Sequence, residues 1–572
     1  SSLIDEPKED MTSHQASLAY LRGHEEYLKG KVASGINSLE ESLNLRSGLL
    51  SQYNIVESLT GLGFAHMYST GKTDLALDYF TKSLAASEKL GNSTAIAHSL
   101  NRLGVYYWET NNFDKALAYF EKSLALYQEL KNPLWIGGLS NNISLVYRRK
   151  ENYDLALNYL EKALAADEKL GNLGGVGTVL GNIGGLYALK GEPSVAISYL
   201  ERSLEVREKI GEKLAIAYGL QSLGHAHIYW TGDLGAAHEY INRSLALSRE
   251  SGGELAEAWG LNYLATIYSL QGELELALEK AQASLMIFSR IGYKSGLVDC
   301  QCILGIIYRD MGEYDLAKEN LAKSMDLIKK ITVGGSTALW TSFLLIHLIL
   351  VSQSLNDIDL GQKYLNMMKE IQQESKNKYV SLRARLAEGI VLKMSDRAAQ
   401  KFQAQKVFDE IVNEEVLDIN LTVLAMLNLC ELLILEMEFS KKAEDILDEV
   451  TSLSERFREI AEKQQSSALI VMAQLLQAKL ALVQGADFAE VSHLLSSAKV
   501  LASEKKLGTL LNQVNAEKEA VQARQDTWND LILRKATVHE RIYQARVVDW
   551  LNEAKKIQGT WVRPSTADRM DQ

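Results

Sequence analysis

The sequence predicts an all-α fold, a superhelical solenoid of antiparallel helix pairs, and three observations carry that prediction. An alanine recurs at Ala76, Ala116, Ala156, Ala196, Ala237, Ala277 and Ala317, each 40 or 41 residues after the last. A small residue precedes each, at Gly63, Gly104, Ser144, Gly184, Gly224, Ala265 and Gly305, and an aromatic ring or His follows three positions later, as at His66, Tyr107 and Tyr308. The 572 residues include only 4 prolines while 47% are hydrophobic, which suits uninterrupted helix around a large core.

Within one period, such as Leu100 to Leu130, apolar residues recur at helical spacing and break at Asn111-Asn112 and at Lys131-Asn132. Each unit is therefore two helices and two turns. Glycine or alanine on the first helix and alanine on the second let the pair approach closely, and the ring column fills the remaining gap. Gly91, Gly171 and Gly211 suit left-handed helix ends. One pair cannot bury its apolar face alone, so pairs stack.

The elements follow in order. Residues 1–15 read as an N-terminal tail. Residues 16–330 hold eight repeats, the first atypical, with Gly23, Gly35, Leu39 and Ser42 in the columns. The repeats around Ala76 and Ala237 each carry one extra residue and share His-x-Tyr-x-Thr-Gly, at His66 to Gly71 and His227 to Gly232. A π-bulge or a longer turn absorbs that residue. From residue 331 to 507 the columns blur into four degenerate hairpins, with small residues at Gly361, Ala404, Ala443, Ala478 and Ala498 and a boundary at Val333 to Ser336. Residues 508–572 carry ten Lys and Arg against nine Asp and Glu, and Trp528, Leu531, Ile542, Val547, Trp550 and Leu551 suggest one or two amphipathic helices. These form either a C-terminal cap or a helix that folds back on the array.

The segments Leu103-Gly104-Val105-Tyr106-Tyr107 and Phe113 to Leu124 resemble the tetratricopeptide repeat (TPR) signature almost position for position. The period exceeds the usual figure of about 34 residues and the closing proline is absent. The 40-residue form is similar to the repeats of Pins/LGN-type adaptors, kinesin light chains and prokaryotic signalling TPR proteins. The resemblance implies a right-handed TPR solenoid whose first helices line a concave groove that binds a protein or peptide.

Composition bounds the function. A net charge of −12 argues against a general nucleic-acid binder. No run of about 18 uncharged apolar residues occurs, the nearest being Phe343 to Val351, so no membrane insertion is expected. Ser1 to Asp10 lacks the basic flank and apolar stretch of a secretory signal, and the opening Ser reads as a processed end. Cys300, Cys302 and Cys430 fit a reducing, cytoplasmic setting.

Catalytic constellations are missing. Gly71-Lys72-Thr73 lacks the upstream glycine of a P-loop, and the glycines between Gly171 and Gly185 lack dinucleotide-binding spacing. His225 and His227 are two residues apart and cannot share a metal from one helix face, and the same spacing separates Cys300 from Cys302. Neither an enzyme, nor a cofactor, nor a metal site is expected.

Polar residues ahead of the small column carry the functional signal. Asn101, Asn141, Gly181, Gln221 and Asn262 align in one column, and Arg102, Asn142, Asn182 and Ser222 in the next. The resemblance implies that such amides hold an extended peptide, and an amide offers donor and acceptor together to a peptide backbone. One turn on, Arg148, Arg149 and Arg309 would meet acidic ligand groups, and Trp108 and Trp230 would supply aromatic anchors. The competing reading is that these amides solvate a helix face. Two functions stay open: a scaffold or adaptor binding a partner peptide or helix in the groove, and a sensor arm of a larger signalling or transcription-regulatory protein.

Overall fold

The computed structural model describes residues 6–28, 32–47, 52–67, 72–150, 152–190, 192–331, 336–375, 377–414, 416, 418–437, 440 and 442–561. The expected boundary at Val333 to Gly335 lies outside them. Among the described residues the secondary structure is helical, with no strand. Two compact units, Ser1–Leu186 and Tyr187–Arg569, divide inside a single helix.

The first unit is built of antiparallel pairs. They are α1 (Glu6–Leu28) with α2 (Val32–Ser47), α3 (Gln52–Ala65) with α4 (Thr73–Leu90), α5 (Ser93–Glu109) with α6 (Phe113–Glu129), and α7 (Pro133–Arg149) with α8 (Tyr153–Leu170). The helix α9 (Leu173–Leu189) carries the division. The start of α1 at Glu6 corrects the expected tail: residues 6–15 continue into the first repeat. That repeat keeps the expected columns, since Ser42 donates to the carbonyl of Ala16 at 2.8 Å and a Cβ on Gly23 would lie 2.8 Å from Leu39.

The small column works by close approach. A Cβ at Gly104 would stand 2.5 Å from two ring carbons of Phe120, so only glycine lets α6 press its ring onto the α5 backbone. The ring column pairs with the second helix, giving stacks of His66 on Tyr79, Tyr107 on Tyr119 and Tyr147 on Tyr159 at 5.4 to 5.6 Å. Turn chemistry closes each unit: Gly91 ends α4 at φ 65°, and the next residue, Asn92, caps α5 by accepting from Ala95 N–H at 3.0 Å.

The second unit continues with α10 (Pro193–Ile210), α11 (Lys213–Ala226), α12 (Leu234–Glu250), α13 (Glu254–Gln271), α14 (Leu274–Ile291), α15 (Lys294–Asp310) and α16 (Tyr314–Ile331). Between α11 and α12 the chain winds as a π-helix over His227–Thr231, which accommodates the extra residue as the sequence predicts. Residues 66 and 67 adopt the same winding, and Lys72 N–H reaches back to the His66 carbonyl at 3.1 Å. Four further pairs follow: α17 (Ser336–Ser354) with α18 (Ile358–Glu374), α19 (Lys378–Lys393) with α20 (Ala398–Asn413), α21 (Ile419–Met437) with α22 (Ala443–Lys463), and α23 (Ser467–Gln484) with α24 (Phe488–Glu504). The small-on-large contact persists here, a Cβ on Gly389 standing 2.6 Å from Phe408.

The C-terminal part forms four helices where one or two were expected: α25 (Gly508–Ala523), α26 (Gln525–Leu533), α27 (Val538–Ala545) and α28 (Val547–Trp561). One apolar core runs through this unit from Ile228 to Ala554. The unit also closes on itself. Asp233 pairs with Lys505 at 2.5 Å, Ser194 donates to Gln465 at 3.0 Å, and Gln271 donates to the Lys506 carbonyl at 3.2 Å. The widened π turn supplies part of that closure, because Gly232, at φ 64°, abuts the start of α23 at Ala468. The helices α21 and α23 are long and apolar enough to cross a membrane, which revises the sequence expectation. Most of each is buried inside the unit, and each bears an ion-paired charge, Glu431 and Lys479, so they serve here as core helices.

Candidate functional site

On the first helices of unit one, the polar columns meet in the space between α7 and α9. Asn182 Nδ2 donates to Asn141 Oδ1 at 2.7 Å, and both side chains, with Asn142, are half-buried. At the C-terminal end of α7 Arg149 lays its guanidinium 5.8 Å from the centre of the Trp108 ring, and Arg102 of α5 sits 5.0 Å over Phe64. Cation–π contacts of this kind contribute about 0.5–1 kcal/mol at exposed sites. Asn101 is buried, and its Oδ1 has no hydrogen-bond partner among the described residues. Arg148 is 4% exposed and lies within the packing of α7. Burial, and next the charge of Arg102, hold the His98 imidazole below its ordinary pKa, so this face carries a neutral ring beside its arginines.

In unit two the first polar column does something else. Gln221 Nε2 donates to Ser244 Oγ at 3.0 Å and to the Ala256 carbonyl at 2.7 Å, tying α11 to α12 and α13. Asn262 is fully buried and accepts from the Cys300 thiol at 3.4 Å. These two residues glue neighbouring pairs together, which corrects their expected role as ligand contacts. They stand in the register that Asn101 and Asn141 occupy on α5 and α7, but here the side chains bond to neighbouring helices. Trp230 is likewise packed against Leu200, Leu204, Leu220 and Leu223, with His225 at 6.1 Å. Trp230 is half-buried, one side of it on this core cluster.

Arg309, expected to meet acidic ligand groups, meets the chain itself. Its guanidinium donates to Asp310 at 2.6 and 2.8 Å and to Thr560 of α28 at 2.9 Å. The helix α28 lies along first helices: Gln558 donates to the Asn420 carbonyl and Oδ1 of α21 at 3.2 and 3.0 Å, and Thr560 donates to Asp310 at 3.0 Å. Lys555 and Lys393 both donate to Glu431 Oε2, the latter at 2.6 Å. Burial alone would raise the Glu431 pKa, but the two ammonium groups hold it below the usual carboxylate range. Burial, and next the Lys393 charge, push Lys555 down to about 7 against the pull of Glu431.

Sequence reasoning missed two sets of residues. A serine on second helices donates to a first-helix carbonyl 26 residues earlier, Ser123 to Ala97, Ser284 to Ala258 and Ser324 to Val298, at 2.7 to 2.9 Å. That column has the 40-residue period and was open to the same search. The Lys393, Glu431 and Lys555 cluster spans 124 residues between its last two members and has no local signature. Among the described residues no group of three or more His, Cys, Asp or Glu gathers to hold a metal ion.

A sequence profile of the tetratricopeptide repeat family matches residues 54–129, 136–209 and 254–330. These segments are tetratricopeptide repeats. Among curated proteins, none matches its sequence. Solved structures similar to this chain include the apo form of the quorum sensor NprR from B. thuringiensis, 16% identical with a TM-score of 0.43, over 55% of this chain and 87% of that one. BtubC (BKLC) from P. vanneervenii is 20% identical with a TM-score of 0.35, over 40% and 92%. A kinesin light chain with nearly identical TPR-like repeats from Podospora anserina is 17% identical with a TM-score of 0.30, over 35% and 97%. These likenesses concern the fold alone.

Proposed function

We propose that this protein is a non-catalytic interaction scaffold, and that the first-helix face of α5, α7 and α9 binds an extended segment of a protein partner. The observation that carries the reading is the half-buried Asn141 and Asn182 pair, with Asn142 beside it. Mutual bonding uses one donor and one acceptor of the pair, which leaves amide donors and acceptors at a position between two first helices. Arg149 on Trp108 supplies a pre-positioned cationic and aromatic surface at the C-terminal ends of α7 and α5. Asn101 adds a buried acceptor that has no protein partner among the described residues. Asn101, Arg102, Asn141, Asn142, Asn182, Trp108 and Arg149 are the residues assigned to this face.

The test is selection of peptides from a random display library on the full chain, followed by titration against the N141A/N142A/N182A variant. Loss of at least roughly tenfold in affinity, or about 1.4 kcal/mol, is expected for a backbone-reading amide set. Equal binding by a variant that keeps the wild-type helical content and melting profile would refute the reading.

A further inference from the structure

The helix α28 does not behave as a cap. A cap seals the apolar end of the last pair, and α26 and α27 already offer Trp528, Leu531, Val538 and Ile542 to the core for that purpose. α28 instead crosses the first-helix face, reaching α15 through Arg309 and Asp310, α17 through the approach of Gly559 to Leu350, and α21 through Glu431 and Asn420. α28 therefore covers a face made by the first helices of these pairs.

The contact has the composition of a recognised ligand. In its first two turns α28 buries Val547, Trp550, Leu551 and Ala554, while Asp549, Asn552, Glu553 and Lys556 face outward. In the last two turns the buried face turns polar: Lys555 is on Glu431, Gln558 on Asn420, and Thr560 between Arg309 and Asp310. Buried ion pairs and amide bonds contribute specificity more than net stability, because desolvation offsets much of the attraction. The first half of the helix thus joins the apolar core, and the second half is held by polar bonds to named partners. Arg546, in the left-handed region at φ 49°, separates α27 from α28.

We infer that the first-helix face of α15, α17, α19 and α21 is a helix-binding groove occupied in cis by α28. It accepts in trans a partner helix with an apolar stripe followed, one turn on, by a Lys and an amide. The charge pattern supports that partner: Glu431 and Asp310 present carboxylates where its Lys and hydroxyl or amide groups would lie. This inference does not rest on the peptide-binding face of unit one, and the two are tested separately.

The experiment uses the full chain carrying Leu551→Asp and Lys555→Glu, which alters α28 and leaves the groove intact. The probe is a fluorescein-labelled synthetic peptide with the wild-type sequence of residues 546–561. Release of α28 should speed amide exchange of residues 547–560 at least roughly tenfold while α15 and α21 stay protected, and the peptide should bind the variant at least roughly tenfold more tightly than the wild type. A peptide carrying the same two substitutions should not bind. Protection of α28 equal to wild type, failure of the released variant to bind the peptide, or loss of the cooperative fold would each overturn the inference by making α28 permanent core. Dimers formed by exchange of α28 between copies would overturn it as well, since a second copy and not a partner helix would then be the occupant.

Discussion

Replacing Glu431 by Gln keeps the shape of the side chain and removes its charge from between two buried ammonium groups. Glu431 is 11% exposed, Lys393 and Lys555 are 9% exposed each, and both amines donate to the same carboxylate oxygen. Asn428 takes a further bond from Lys393 at 2.5 Å, so Lys393 keeps one partner in the variant while Lys555 loses its carboxylate. Breaking a buried pair by deleting one member costs about 3–5 kcal/mol, because the remaining charge is left desolvated. The burden falls on α28, which contributes Lys555. Native-state amide exchange of residues 547–560 should therefore accelerate by roughly a hundredfold or more, the equivalent of about 3 kcal/mol in local opening. E431Q combined with K555M should recover most of that loss, since methionine fills the same channel without a charge. An acceleration of less than about threefold in E431Q would refute the view that the cluster holds α28.

Further outcomes follow from other residues. The Lys555 pKa is lowered to about 7 in the docked helix, so between that value and its ordinary value near 10.5 the docked state binds fewer protons than the released one. Docking of α28 should tighten as pH rises through that window, by up to about 1.4 kcal/mol per unit, and stay flat just below pH 7, as read by exchange protection corrected for intrinsic rates. Gly104→Ala should destabilise by about 1–3 kcal/mol, because its methyl would overlap the Phe120 ring. Gly138→Ala, on an exposed stretch of α7 with open space at the Cβ, should stabilise by about 0.5–1 kcal/mol, both measured by urea denaturation. Burial pushes the Cys430 thiol up to about 12, so iodoacetamide at pH 8 should leave it unmodified in the native chain and alkylate it once the chain is unfolded.

The helix pairs were legible because their determinants are local and periodic. Gly104 and Ala116 recur with the pair that they allow to close, and the extra residue before Gly232 shows in the spacing before it shows as a π turn. Burial of the polar columns was less legible. Asn141 and Gln221 share a register, yet the first is half-buried beside Asn182 and the second is tied to Ser244 and Ala256. What separates them is how closely successive pairs pack, a property of neighbours 20 to 40 residues away. The apolar α21 and α23 were underestimated because each interrupts its run with a charge, and those charges, Glu431 and Lys479, are neutralised by groups from elsewhere in the fold. For α28 the sequence showed an amphipathic helix and left a cap and a fold-back both open; its partners were not legible, since Lys555 and Glu431 lie 124 residues apart.

The central functional claim concerns the first-helix face of α5, α7 and α9, and amide exchange of the full chain with and without a library-selected peptide tests it most directly. The account predicts new protection concentrated in segments containing Asn101, Trp108, Asn141 and Asn182, with the second helices α6 and α8 unchanged on their outer faces. Protection confined to second helices, or an unaltered first-helix face under saturating peptide, would contradict it.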